Sequence, residues 1–161
     1  MIILGIDPGL QHTGWGVIDI QGNKLTHIAN GTIHSTKDEI LAYRIKEIYI
    51  GLQAVIEQHN PQQAAVEEVF VNMNPNSTLK LGQARGACLL APAVKNIETA
   101  EYSTRMVKKA VVGTGKADKN QIKAMVKMLL CNCELDSEDS ADALAVAICH
   151  SHHYQTKIKL S

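Results

Sequence analysis

Long apolar runs are missing from this chain. Nothing in its 161 residues is hydrophobic enough, for long enough, to span a bilayer, so no membrane segment is expected. The opening Met1-Ile-Ile-Leu-Gly-Ile-Asp7 carries neither a basic n-region nor a cleavage site, and it reads as a strand rather than a signal peptide. A cytoplasmic protein is the expectation. Cysteine is scarce, and Cys88, Cys131, Cys133 and Cys149 show no disulfide framework. Cys131-x-Cys133 together with His150, His152 and His153 fits no standard zinc spacing, which leaves reduced thiols and surface histidines. Internal repeats, low-complexity tracts and linkers are also absent. The length therefore suits one domain over residues 1–161 with a real core.

An excess of either charge is lacking too, because the formal net charge is +0. That sum conceals a segregation. Ser103 to Lys127 holds seven bases (Arg105, Lys108, Lys109, Lys116, Lys119, Lys123, Lys127) against the single acid Asp118. Leu129 to Asp142 holds five acids (Glu134, Asp136, Glu138, Asp139, Asp142) and no base. Alone, the basic run reads as a solvated helical face, but its position beside an acidic stretch matters more than the total.

Periodicity gives the order of elements. Ile2–Ile6 is a short buried strand, and Val17–Ile20 and Leu25–Ile33 flank a turn at Gln21-Gly22-Asn23. Leu41, Ile45, Ile48, Leu52 and Val55 recur at helical spacing within a helix expected from about Asp38 to His59, which Asn60-Pro61 stops. Ala64–Phe70 reads as a strand, Ser77–Ala93 as a helix rich in small residues, and Ile97–Tyr102 as another strand. Ser103 caps a helix to about Val112, a further helix covers Lys119–Leu130, and Ser137 caps a last one to about His150. The order β-β-β-α-β-α-β-α-α-α predicts an α/β domain with a mixed sheet covered by helices.

Against this background five carboxylates stand out: Asp7, Glu67, Glu68, Asp139 and Asp142. Each lies on or beside an apolar run, where an isolated charge is costly to bury, and no lysine or arginine adjoins them in sequence. Asp7 ends the first strand and opens an Asp-Pro-Gly turn that suits a metal-binding carboxylate, a phosphate-binding loop or a plain β-turn. Consecutive strand residues face opposite ways, so only one of Glu67 and Glu68 can share the side of Asp7, and Val66 and Val69 leave the choice open. Asp139 and Asp142 are three apart at a helix start, where they share a face and the helix dipole favours them. First-turn acid enrichment accounts for Asp139 as well, but Asp142 sits within an otherwise apolar Ala141-to-Val146 stretch. Hard oxygen donors without cysteine or histidine select Mg²⁺ or Mn²⁺. Two such ions about 4 Å apart activate water and stabilise the leaving oxyanion in phosphodiester cleavage.

Five segments carry a resemblance: Ile3-Leu-Gly-Ile-Asp7-Pro-Gly9, Val66-Glu-Glu-Val-Phe70, Leu79-Lys-Leu-Gly-Gln-Ala-Arg-Gly86, Val111-Val-Gly-Thr-Gly115 and Asp139-Ser-Ala-Asp-Ala-Leu-Ala145. In this order they closely resemble the RuvC Holliday-junction resolvases. The resemblance implies an RNase H-like fold, a homodimer, and Mg²⁺-dependent, symmetrical nicking of four-way junction DNA in recombination and repair, with Mn²⁺ as a substitute. It selects Glu67 over Glu68 and assigns Asp7, Glu67, Asp139 and Asp142 as catalytic, metal-binding acids. It places Lys108 and Lys119 near the scissile phosphate and Phe70 against unpaired bases. Lys80 and Arg85 read equally as phosphate contacts or as residues that solvate a helix. A branch-migration motor is the implied partner. Some members carry histidine where Asp139 stands. An Asp-x-Gly turn also serves nucleotide-binding ATPases of the actin/sugar-kinase type, but those need a second phosphate loop and a duplicated chain. Gly113-Thr-Gly-Lys116 lacks Walker A spacing. A related nuclease acting on RNA or simple duplexes is the remaining rival.

Overall fold

Ten elements follow one another in the anticipated order. The computed structural model describes residues 1–68, 74–131 and 133–159. Strands β1 (Ile2–Asp7), β2 (His12–Gln21) and β3 (Lys24–His34) lead into helix α1 (Leu41–His59). Strand β4 (Gln63–Glu68), helix α2 (Pro75–Val94) and strand β5 (Glu98–Ser103) come next, then helices α3 (Thr104–Val112), α4 (Lys119–Leu129) and α5 (Glu138–Lys159). The sheet runs β3-β2-β1-β4-β5. β1 pairs antiparallel with β2 and parallel with β4, and β4 pairs parallel with β5. This mixed five-stranded sheet between two helical layers is the RNase H-like architecture that the resemblance implied. Among the described residues no helix is long and apolar enough to cross a membrane.

Strand alternation sorts the core into two layers. Leu4, Ile6, Val17, Ala64 and Val66 pack against Ile48 and Leu52 of α1 and Ala84 and Cys88 of α2. Ile3, Ile18, Ala65 and Tyr102 point the other way and meet α3, α4 and α5. β1 is the central strand, covered on both faces, which explains why its sequence is continuously apolar.

Helix α5 lies unusually close to the sheet. A Cβ on Gly5 would stand 2.1 Å from the Ala143 carbonyl oxygen, and one on Gly14 would stand 2.0 Å from that of Asp139. These two glycines let helix backbone rest on strand backbone. Gly14 is the cross-strand partner of Asp7, so the same close approach brings the start of α5 over the end of β1.

Boundaries differ from expectation at both long helices. α1 starts at Leu41 rather than Asp38, because Thr36 donates to Glu47 through both its N–H and its hydroxyl and holds the preceding residues in a turn. α5 continues to Lys159 instead of stopping near His150. His150 and Ser151 are polar but buried and satisfied: the His150 ring bonds to Tyr102 and Gln63, and the Ser151 hydroxyl donates to the Ile148 carbonyl. A polar residue with its partners supplied does not end a helix. Ser137 does open α5, exchanging bonds with Ser140, and Ser103 caps α3 by accepting from the Met106 N–H.

Candidate nuclease site

The acids meet where β1 and β4 end. The parallel register sets Ile6 beside Val66, which brings Asp7 level with Glu67 at the next position. Glu67 shares the face of Ala65, the face covered by α5, whereas Glu68 shares that of Ala64 and Val66. Sheet parity, invisible in the strand alone, thus puts Glu67 on the side of Asp7 and Glu68 on the other. From above, α5 contributes Asp142, which is half-buried, and Asp139 one turn earlier.

Like charges at this junction are expensive. Burial first, then the Glu67 and Asp142 carboxylates, push Asp7 up to about 9, and Asp7 also hydrogen-bonds Glu67. Burial raises Asp142 to about 6, against the lowering effect of Lys119. The only cation within ion-pair range of these acids, among the described residues, is the exposed Lys119, whose Nζ lies 3.8 Å from Asp142 Oδ2. A pair so long and exposed contributes little. The acids gather charge without closing on one point, since no three acid, histidine or cysteine side chains form a finished ligand set among the described residues. An all-oxygen group of mutually repelling carboxylates nevertheless suits a hard divalent cation, which would lower their proton affinity.

This electrostatic cost has a measurable consequence. Both folded-state pKa values lie above the unfolded value near 3.8, so the native state binds the extra protons. The stabilising contribution is complete below that value and is lost as pH rises, through about 6 for Asp142 and about 9 for Asp7. In EDTA, the stability difference between wild type and Asp7→Asn, followed by urea unfolding, is therefore expected to shift in favour of the variant from pH 4 to pH 9. Millimolar Mg²⁺ at pH 8 should narrow the gap. A difference that stays flat with pH would contradict the arrangement.

Basic residues close the site on one side. Lys108 of α3 and Lys119 of α4 line a cavity of about 120 Å³ together with Glu67, Thr104, Val107 and Asp142. The structure therefore brings both lysines to the acids. Lys80 is exposed on α2 and does not line the cavity that holds Lys108 and Lys119. Arg85 is half-buried and turned inward: it forms an ion pair with Glu101 and donates from Nε to the Glu67 carbonyl at 3.4 Å. Phe70 lies outside the described residues. Cys131 and Cys133 are free thiols, whereas His150, expected at the surface, is buried and engaged with Tyr102 and Gln63.

Three contributors escaped the sequence reading. Thr13 is fully buried and its hydroxyl donates to the Gly9 carbonyl at 2.7 Å, clamping the turn that follows Asp7. Cys88 of α2 is buried, and burial, with Asp7 nearby, pushes its thiol up to about 12, so it stays protonated. Thr104 presents its side chain to the acid-lined cavity. A threonine within a glycine-rich turn was the one available signal; the other two depend on helix packing.

Comparison with known proteins agrees with this geometry. The family model for crossover junction endodeoxyribonuclease RuvC matches residues 3–150. The crossover junction endodeoxyribonuclease RuvC of Paramagnetospirillum magneticum is 54% identical over 161 residues, spanning 100% of this chain and 97% of the relative. That of Caulobacter vibrioides is 56% identical over 150 residues, or 93% and 89% of the two chains. Among solved structures, T. thermophilus RuvC in complex with Holliday junction substrate superposes with a TM-score of 0.90 at 30% identity, covering 98% of this chain and 96% of the other. The chain belongs to the RuvC family of crossover junction endodeoxyribonucleases.

Proposed function

We propose that this protein resolves four-way DNA junctions by paired, symmetrical nicking of phosphodiester bonds during recombination and repair. What carries the reading is the convergence of Glu67 of β4 and Asp142 of α5 with Lys108 and Lys119 on one cavity, with Asp7 of β1 close to both acids, in a chain of this family. Asp7, Glu67, Asp139 and Asp142 would hold two Mg²⁺ ions, with Mn²⁺ as a substitute, and such ions would supply activation of a water and stabilisation of the leaving oxyanion.

The chain's own groups do the rest. Lys108 and Lys119 neutralise the scissile phosphate and draw it over the acids, which would otherwise repel a polyanion. Lys80 contributes to backbone contacts, and Phe70 stacks on bases exposed at the crossover. A two-fold junction is matched by a homodimer, which presents two such sites to strands of like polarity. A branch-migration motor delivers the junction, and work on chromosomal DNA places the protein in the bacterial cytoplasm. The single domain over 1–161 carries the whole site.

Binding can be tested apart from cutting. In EDTA, labelled four-way junction should remain bound in the presence of excess linear duplex of the same sequence, and binding should weaken steeply with salt. Equal competition by the duplex would remove the structural selectivity on which the proposal depends.

A further inference from the structure

Arg85 occupies a position that a phosphate-binding residue has little reason to adopt. It projects from α2, and its guanidinium spans two neighbouring strands, pairing with Glu101 of β5 and donating to the backbone carbonyl of Glu67 in β4. In the sheet, Glu101 is level with Val66, one residue before Glu67. Val66 faces α2, whereas Glu67 points to α5. The arginine therefore sits behind the carboxylates, across the sheet from them.

Backbone register shows what the contact adds. The ladder between β1 and β4 ends at Ile6 and Val66, while β4 stays paired with β5 through Glu67 and Glu68, so the peptide that bears the acid is held from the β5 side alone. A carbonyl oxygen has a second lone pair, open to a further donor. The planar guanidinium supplies one while its other edge holds the carboxylate on the next strand, a two-point grip that an ammonium cannot reproduce. As a partly exposed ion pair the contact contributes little stability. Its value is geometric, because a carboxylate side chain is aimed by its own peptide.

We propose that Arg85, anchored by Glu101, is a positioning residue that fixes the backbone at Glu67 and does not bind phosphate. The inference rests on Glu67 acting as proposed above. It assigns Glu101, an acid with no place in the chemistry, to the same device.

The test compares wild type with Arg85→Ala, Arg85→Lys and Glu101→Gln in three measurements: junction affinity and its salt dependence in EDTA, cutting at saturating junction against Mg²⁺ concentration, and Mn²⁺-induced thermal stabilisation without DNA. Loss of positioning should slow saturated cutting by Arg85→Ala by about a hundredfold, raise the Mg²⁺ needed and shrink the Mn²⁺ stabilisation. Glu101→Gln should move in the same direction by less. Junction affinity should stay within about threefold and the salt slope unchanged, because no phosphate contact is lost. A drop in affinity with the salt slope reduced by about one, and saturated cutting intact, would mark a phosphate contact and overturn the proposal. So would three unchanged measurements. Should Arg85→Ala fail to fold, Arg85→Lys carries the same comparison, since it keeps the charge and loses the two-point grip. A wild type that binds Mn²⁺ but leaves junctions uncut would count against the proposed function, while the Mn²⁺ measurement still decides the role of Arg85.

Discussion

Asp7→Asn is expected to bind four-way junctions as wild type does and to cut them slower by a thousandfold or more, on the order set by losing an essential charge from a metal-assisted site. The substitution preserves shape. It removes one negative charge from the most crowded position in the cluster, where burial and three neighbouring carboxylates already hold the acid at about 9. Relief of that repulsion should leave the metal-free variant at least as stable as wild type at pH 8, so that inactivity and stability separate in a single protein. Glu68→Gln is the matched control. It alters the adjacent carboxylate on the other face of the strand, and cutting should stay within about threefold. Single-turnover rates at saturating junction, with affinities measured in EDTA, check both. Normal cutting by Asp7→Asn would remove the metal-binding role from the centre of the site.

Gly5→Ala carries the largest expected effect on stability. The added Cβ would meet the Ala143 carbonyl oxygen at 2.1 Å and the Ala147 nitrogen at 2.7 Å, and both are helix backbone that cannot swing aside. α5 must lift from the sheet, opening the layer formed by Ile3, Leu144 and Ile148. A loss of about 3 kcal/mol or more is expected. The same substitution at Gly86 in α2 meets nothing within 4 Å, so relief of glycine's helix penalty should stabilise by about 0.5–1 kcal/mol. Urea unfolding of the two variants is expected to give opposite signs. A tolerated Gly5→Ala would mean that α5 does not rest on β1. Asp142 would then not be fixed above Asp7 by that contact.

Much of this molecule was legible in its sequence because its signals are local. Apolar runs, helical spacing and the caps at Ser103 and Ser137 gave every element in order. The acids were conspicuous because a carboxylate amid apolar neighbours is a local anomaly. What stayed hidden depends on partners distant in sequence. Val66 and Val69 look alike in a strand read alone, so only pairing with β1 shows that Glu67 faces α5. The last helix outran its expected end because Tyr102 and Gln63, far upstream, satisfy His150. Arg85 looked like a free base on a helix, and Glu101, its partner across the α2–β5 contact, gave no sign of the pairing. Phe70 is the one expected DNA contact that falls outside the described residues.

Junction-selective, metal-dependent cutting is tested most directly by one measurement. The purified protein is given four-way junction, linear duplex and RNA of related sequence, each with Mg²⁺ or with EDTA, and products are mapped on sequencing gels. Paired nicks at symmetrical positions of the junction, with Mg²⁺ only, and intact duplex and RNA are the expected result. Cutting of linear duplex at an equal rate, or cutting in EDTA, would contradict it.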